Sequence, residues 1–231
     1  MLGDSGTEEW LRQPIAAPAA DVAEVPSARG AVDPSHPRER IIRGTAAIIA
    51  RDGYGNSRIA DIAKESRVSL RTFYAEFETK ESVFLELHRR VVDSITEAVA
   101  DSIDFSKPWR QVMYDGFLRY FELLKASPRF TTAMVFELVT LSEASREARE
   151  YARGEFDRFL IELVERGREA NPDIPSRSIT PLLSRSMLGG VVEVVTSELV
   201  DGQRWEIDAL AETATDILWS VVTNVDNAAS A

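Results

Sequence analysis

The sequence predicts an all-α protein of about nine helices, and two observations support this class. Apolar residues recur at spacings of three and four from Arg38 almost to the end of the chain, which is the period of one helix face. No run of β-branched residues alternates at period two between turn residues, so no strand is predicted. We therefore expect three short helices at the start of the folded part and six longer ones after them.

Caps and breaks predict the bounds of these helices. Residues 1–36 contain four prolines and little periodicity, which is typical of a flexible arm. A helix of about 29 residues should follow Ser142, and the last two should span roughly 178–200 and 205–225. The other predicted caps and breaks are, in chain order, Asp52-Gly53, Thr79, Pro108, Ser127-Pro128, Asn171-Pro172 and Asp201-Gly202.

Composition excludes several classes of protein. The 231 residues are enough for one or two hydrophobic cores, and they include no cysteine, which excludes disulfides and thiolate metal sites. No basic segment leads into an apolar run near the N-terminus, and no apolar stretch approaches about 18 residues. We expect a cytoplasmic protein with no cofactor and no metal.

The formal net charge of −11 is distributed unevenly. Between Arg38 and Arg90, 11 Lys and Arg residues stand against 8 Asp and Glu residues, a local net charge of +3, whereas the rest of the chain carries −14. A mildly basic segment on an acidic body is typical of a protein with one end facing nucleic-acid phosphates. An ordinary solvated surface is the alternative reading of this pattern alone.

The segment from Ser57 to Phe77 reads as two short helices joined by a tight turn. Its second helix, anchored by Phe73, would offer its opposite face to solvent, and this arrangement fits a DNA major groove. The candidate DNA contacts are Ser57, Arg58, Ser69, Leu70, Arg71, Thr72, Tyr74 and Lys80.

Each candidate has a chemistry suited to DNA. Arg71 can bond the O6 and N7 atoms of guanine, and Leu70 can contact the methyl group of thymine. The Tyr74 hydroxyl and the Lys80 ammonium, at a helix N-terminus, suit phosphate. Ser57 and Arg58 would hold the DNA backbone on the opposite side.

The region from Arg38 to about Leu87 resembles the DNA-binding domain of TetR-type transcriptional regulators. The residues that carry the resemblance are Asp61-Ile62-Ala63, Val68-Ser69, Thr72-Phe73-Tyr74, Phe77 and Lys80-Glu81.

The resemblance implies a helix-turn-helix DNA-binding domain over residues 37–83. It also implies a larger helical domain over 84–227 that binds an effector and dimerises. The expected protein is a repressor that binds a near-palindromic operator as a homodimer and is released by a small apolar effector.

Two residues depart from the family pattern. Arg67 stands in the turn where the family usually has glycine, and a left-handed backbone there would cost about 1 kcal/mol relative to glycine. Glu76 stands where the family often has histidine, and it places a negative charge near the expected phosphates.

Aromatic and methionine side chains on the middle helices, with one carboxylate, are candidates for an effector pocket, although such stripes also form ordinary cores. They are Trp109, Met113, Phe117, Tyr120, Phe130, Met134, Glu137, Phe156 and Phe159. Two glycines inside a helix favour a close crossing with another helix, in the same chain or in a second copy. The candidate dimer-interface residues are Leu182, Met187, Gly189, Gly190, Leu218, Val221 and Val225.

Two other functions remain open at the level of the sequence. A DNA-binding architectural protein without an effector would share the first domain, and only the larger half would distinguish it. An all-helical enzyme is the other alternative. His36 and His88 are the only histidines, and no metalloprotease or nucleotide-binding motif is present, so no catalytic residue is predicted.

Overall fold

A computed structural model describes residue 33 and residues 35–135, 143–201 and 205–224. Within these ranges the chain forms nine α-helices and no strand, which confirms the predicted all-α class. The helices are α1 (Pro37–Asp52), α2 (Ile59–Glu65), α3 (Leu70–Glu76), α4 (Lys80–Asp101), α5 (Trp109–Ala126), α6 (Pro128–Val135), α7 (Glu143–Ala170), α8 (Pro181–Asp201) and α9 (Ile207–Thr223). None of the described helices has the length and apolar character needed to cross a membrane.

Local sequence sets the start of α4 and the end of α1. The Thr79 hydroxyl accepts a hydrogen bond from the Ser82 N–H at 3.0 Å, and the Thr79 N–H donates to the Ser82 hydroxyl at 3.2 Å. This reciprocal pair satisfies two N–H groups that a helix start otherwise leaves unpaired. Helix α1 ends at Gly53, whose φ of 80° suits glycine because it has no Cβ.

Helix α8 begins three residues later than the sequence predicts. The expected start was Ser178, whereas the first helical residue is Pro181. The Thr180 hydroxyl accepts a hydrogen bond from the Leu183 N–H at 3.2 Å and so caps the helix. A proline directly after such a cap leaves no N–H unpaired and is already in helical geometry.

Buried side chains form three clusters. The first joins α1, α2, α3 and the start of α4 with α6 and the beginning of α7. The other two lie mainly among α5, α7, α8 and α9. The predicted boundary between residues 83 and 84 falls inside α4, a continuous helix that packs into both halves of the chain.

Two glycines provide space for a side chain from another part of the fold. A Cβ atom on Gly44 of α1 would lie 2.1 Å from the Ser66 Oγ atom at the end of α2. A Cβ atom on Gly167 of α7 would lie 1.9 Å from the Nε1 atom of Trp109 on α5. The Ser66 side chain thus packs directly on α1, and the Trp109 ring packs directly on α7.

His88 is a buried histidine on α4. Its Nδ1 atom has no hydrogen-bond partner among the described residues. Burial lowers the pKa of His88 to about 4, and the neighbouring charge of Arg89 contributes in the same direction. The imidazole is therefore neutral in the folded protein at pH 7.

We expect His88 to make stability depend on pH. The pKa of an unfolded histidine is about 6.5, so between pH 6.5 and pH 4 the unfolded chain binds more protons than the folded one. The free energy of unfolding therefore falls as the pH falls, by about 3 kcal/mol at pH 4.

The measurement is urea unfolding of the protein and of His88→Leu between pH 7 and pH 4. The difference in unfolding free energy between the two chains isolates His88 from the carboxylates that titrate in the same range. A difference that stays constant with pH contradicts the prediction.

Candidate nucleic-acid interface and apolar cavity

Helix α3 has one buried face and one exposed face. Phe73 and Phe77 are buried in the first cluster and anchor the helix to α1 and α2. On the opposite side Leu70 is 49% exposed and Tyr74 is 56% exposed, and Arg71 is exposed beside them. The outward face thus combines apolar, aromatic and cationic groups, which are the side chains that contact base edges and phosphates.

Ser69 caps α3 in the way that the sequence predicts. Its hydroxyl accepts a hydrogen bond from the Thr72 N–H at 3.0 Å and lies 2.8 Å from the Thr72 hydroxyl. The two hydroxyl groups therefore form one polar cluster at the N-terminus of the helix. Each hydroxyl oxygen has two lone pairs and a rotatable proton, so the cluster keeps bonding capacity for a ligand outside the chain.

The turn between α2 and α3 is a Schellman motif. The Arg67 N–H donates to the Lys64 carbonyl at 3.1 Å, and the Val68 N–H donates to the Ala63 carbonyl at 2.9 Å. Arg67 has a φ of 54°, in the left-handed region where a Cβ costs about 1 kcal/mol. The departure from the glycine of the family pattern therefore places a strained residue in the turn, with its side chain exposed.

Two arginines of α1 hold the ends of the neighbouring helices. Arg40 donates from Nε and Nη2 to the Ser66 carbonyl at 3.0 and 2.7 Å, at the end of α2. Arg38 donates from Nη1 to the Glu76 carbonyl at 2.7 Å, at the end of α3. Carbonyl groups at a helix C-terminus lack partners within the helix and attract positive charge.

Neither Arg38 nor Arg40 was predicted from the sequence as a functional residue. Their signal was available, because positive charge in the first turn of α1 is unfavourable for the dipole of that helix. A tertiary role accounts for the exception.

Unpaired positive charge surrounds the exposed face of α3. The guanidinium groups of Arg58, Arg67 and Arg71 are exposed, and they have no hydrogen-bond or ion-pair partner in the described part of the chain. The Glu76 carboxylate lies 3.8 Å from Nη1 of Arg38, which offsets part of its negative charge. The surface therefore has the charge needed to bind phosphates, despite the acidic chain.

Ser57 and Lys80 are turned inward. The Lys80 ammonium donates to the carbonyls of Tyr54 and Ser57 at 2.9 and 3.0 Å and lies 4.0 Å from the centroid of the Tyr54 ring. Ser57 is buried, and its hydroxyl donates to the Tyr54 carbonyl at 2.7 Å. These side chains join the loop before α2 to the start of α4. A position at a helix start predicts exposure, but it does not predict where a flexible lysine points.

An apolar cavity of about 50 Å³ lies between α4, α5, α7 and α8. Five of the predicted pocket residues line it: Met113, Phe117, Tyr120, Phe156 and Phe159. The rest of its wall consists of Ile95, Thr96, Val99, Gly116, Leu160, Leu163, Leu188 and Val191. These residues were not predicted, because a residue on a buried helix face shows the same periodicity whether it lines a cavity or fills a core.

The cavity wall is almost entirely hydrocarbon. Burial raises the pKa of Tyr120 to about 12, so its hydroxyl stays protonated at any physiological pH. The Thr96 hydroxyl donates to the Asp93 carbonyl at 2.8 Å and is occupied by its own helix. Such a wall suits the apolar part of a ligand.

The other pocket candidates lie elsewhere. Trp109 is buried between α5, α7 and α9, and its ring centroid is 5.6 Å from that of Trp219. Phe130 and Met134 pack against α1 in the first cluster, because the chain turns at Ser127-Pro128 and brings α6 onto α1. Glu137 lies outside the described residues.

Helices α8 and α9 carry an exposed apolar surface. Leu182 is 72% exposed, and Val192 and Ile217 are also largely exposed. A Cβ atom on Gly189 or Gly190 would meet no atom within 4 Å, so the close crossing expected at these glycines is not made within the described chain.

Three of the remaining interface candidates pack inside the chain. Leu218 is fully buried in the cluster of Trp109, and Met187 and Val221 are partly buried against the same cluster. We therefore replace Leu218 by its exposed neighbour Ile217 as an interface candidate. Val225 lies outside the described residues.

A helix-turn-helix whose second helix is exposed and surrounded by arginine side chains is typical of a DNA-binding protein. The family model of bacterial regulatory proteins of the tetR family matches residues 41–87, which include all of this motif. The fatty acid metabolism regulator protein of Bacillus subtilis (strain 168) is 24% identical over 190 residues, covering 80% of this chain and 95% of that protein. The family model and this relative together support a transcriptional regulator of the TetR type.

Solved structures of regulators share the fold. The transcriptional regulator FadR from Bacillus subtilis, in complex with stearoyl-CoA, superposes with a TM-score of 0.64 at 21% identity, covering 78% of this chain and 96% of that chain. A regulator from Saccharomonospora viridis in complex with choline gives a TM-score of 0.62 at 20% identity, with coverage of 80% and 96%.

Replacing Arg67 by glycine is expected to stabilise the protein. Glycine relieves the left-handed strain and raises the free energy of unfolding by about 1 kcal/mol. Arg67→Ala is the matched control, because it removes the guanidinium but keeps the Cβ. Chemical denaturation of the three chains checks this: equal stability of the glycine and alanine variants would show that the turn stores no strain.

Proposed function

We propose that this chain is a ligand-responsive repressor. It binds operator DNA through α3, and it does so as a homodimer. The observation that supports this most directly is the exposed face of α3, with guanidinium groups around it that have no partner in the described ranges. In this proposal Arg71 bonds a guanine and Leu70 contacts a thymine methyl group. Arg58, Arg67 and the Tyr74 hydroxyl contact phosphates and set the register of the protein on the duplex.

Dimerisation through α8 and α9 follows from their exposed apolar side chains. Burying Leu182, Val192 and Ile217 against a second copy removes them from water. The unoccupied space above Gly189 and Gly190 would admit a partner helix at close range. A two-fold axis there would present two copies of α3 to the DNA. Their spacing would have to match successive major grooves, about 34–36 Å apart.

The effector in this proposal carries a long hydrocarbon chain, such as a fatty acyl thioester. The hydrocarbon wall of the cavity supports this class, and so does the stearoyl-CoA bound by the similar Bacillus subtilis regulator. The cavity of about 50 Å³ is smaller than the roughly 300–1,000 Å³ of typical ligand sites. The effector would therefore bind a conformation in which α4, α5, α7 and α8 are further apart. DNA release requires that this conformation bind the operator less tightly.

A DNA-binding protein without an effector is the second candidate function, because the small cavity also suits a core that never opens. Catalysis has no comparable support. The imidazole of His36 accepts a hydrogen bond from the Arg38 N–H at 3.2 Å, and neither His36 nor His88 lines the cavity.

DNA recognition is tested with duplexes selected from a random library by the unaltered protein. We expect Arg71→Ala to relax the preference at one base position, because a base contact carries sequence information. Arg58→Ala should weaken binding to all duplexes and reduce the salt dependence of affinity by about one charge. Uniform loss in both variants would contradict this division of roles, and the absence of any selected sequence would overturn the proposed function.

The substitution Gly116→Ala tests whether the effector binds in the cavity. A Cβ on Gly116 would lie 3.7 Å from Cγ1 of Val99, an ordinary contact distance, so Gly116→Ala fits the folded protein. It should raise the free energy of unfolding by about 1 kcal/mol, because alanine favours a helix interior over glycine. The same methyl group occupies the cavity and should weaken the binding of stearoyl-CoA about tenfold.

Gly154→Ala is the matched control for Gly116→Ala. Gly154 lies within α7, and a Cβ there would meet no atom within 4 Å, so it gains helix stability without filling the cavity. Calorimetric titration with stearoyl-CoA and thermal unfolding compare the three chains. Equal affinity in all three would place the ligand elsewhere. A wild-type chain that binds no acyl thioester would overturn the proposed effector class.

A further inference from the structure

A partly buried ionic network connects α1 to α4, and it is not used in the proposed DNA contacts. Arg90 of α4 bonds Glu39 of α1 and, at 2.8 Å, Glu86 of its own helix. Glu86 in turn bonds Arg38 of α1. We call Arg38, Glu39, Glu86 and Arg90 the α1–α4 network.

The network is buried at its Glu39–Arg90 end, whereas the Arg38 side chain is 40% exposed and the Glu86 side chain is 25% exposed. The Glu39 side chain is 1% exposed and Arg90 is 13% exposed. Charges withdrawn from water in this way depend on each other, and removing one leaves its partner buried without compensation. An isolated exposed ion pair contributes little, but the Arg38–Glu86 pair is held at both ends, because Glu86 also bonds Arg90 and Arg38 also donates to the Glu76 carbonyl. The network therefore holds α1 and α4 in one relative position.

At one end the network reaches the DNA-binding helix. The same Arg38 guanidinium that bonds Glu86 donates to the Glu76 carbonyl, the last residue of α3, at 2.7 Å. It also lies 4.2 Å from the centroid of the Phe77 ring, which anchors α3. A single side chain thus ties the C-terminus of α3 to a carboxylate on α4.

At the other end α4 continues to the cavity. Ile95, Thr96 and Val99 line the cavity, and Ile95 follows Arg90 by five residues, about 7.5 Å along the helix axis. Both features lie on one uninterrupted α-helix, Lys80–Asp101. A displacement of α4 at the cavity therefore moves the Glu86 carboxylate as well.

We propose that Arg38 and Glu86 are positioning residues that transmit the position of α4 to the orientation of α3. This inference rests on the proposed function, since it assumes that α3 binds DNA. Neither residue needs to contact the DNA. Glu86 holds the Arg38 guanidinium, and Arg38 holds the end of α3 in the orientation that fits the groove.

Glu86→Gln gives the sharpest test, because a general effect of charge and the loss of the network predict opposite changes in DNA affinity. Removing a negative charge by itself should strengthen binding to DNA. In the network, the amide group of the glutamine would face an arginine with its own N–H donors. We expect the affinity for the selected duplex to fall about fivefold or more.

Arg38→Met completes a double-mutant cycle. The two residues act as one unit, so Arg38→Met combined with Glu86→Gln should lose no more affinity than Arg38→Met alone. The salt dependence of affinity should stay unchanged in each variant, whereas loss of a direct phosphate contact would reduce it by about one charge.

Arg110→Met is the matched control. Arg110 on α5 is 38% exposed, against 40% for Arg38, and it also bonds two carboxylates, those of Glu212 and Asp216 on α9. The Arg110→Met substitution should leave the affinity for the selected duplex unchanged. Amide hydrogen exchange without DNA adds a second readout: α3 should exchange faster in Glu86→Gln and Arg38→Met than in Arg110→Met.

The outcomes separate this inference from the proposed function. If no duplex is selected, the proposed function fails and the inference fails with it. If a duplex is selected but Glu86→Gln binds it equally or more tightly, the transmission role is overturned and DNA binding stands. Losses that multiply in the double variant, or unchanged exchange in α3, also overturn it.

Discussion

Helix α4 must satisfy two packing environments with one rigid backbone, and this constraint underlies the rest of the structure. Near its start, Val83, Phe84 and Leu87 are buried in the cluster that supports α3. Two to three turns later, Ile95 and Val99 line the cavity. A helix held by close packing moves as a unit. A change in cavity volume that displaces α4 therefore also displaces the part of α4 that supports the DNA-binding half. The signal transmission that we propose is a consequence of that shared helix.

The distribution of ion pairs on the described surface explains how an acidic chain can bind a polyanionic partner. Many arginines of the larger half are paired with carboxylates, as Arg146 is with Glu143 and Glu150. Around α3, by contrast, Arg58, Arg67 and Arg71 have no partner among the residues that the structure describes. Net charge therefore says little about the partner of this protein. What matters is which cations have their charge already compensated within the fold.

The cavity has the chemistry of a ligand site but not yet the volume. Its wall is hydrocarbon on all four helices, whereas its space of about 50 Å³ holds only a few atoms. This combination suits a ligand-responsive repressor, because a ligand that enters a small cavity must displace the helices that surround it. The apparent affinity for such a ligand equals the affinity of the open form multiplied by the fraction of molecules that are already open.

Local interactions could be predicted from the sequence by itself. The nine helices, the Thr79 and Ser69 caps, the break at Ser127-Pro128 and the outward face of α3 all depend on residues a few positions apart. Side-chain direction and long-range pairing depended on the tertiary structure. Lys80 turned inward to two carbonyls, Trp109 and Phe130 joined cores instead of the cavity, and Gly116 became part of its wall. Arg38 found its partners 38 and 48 residues away along the chain. Such contacts have no local period, because they depend on how whole helices cross.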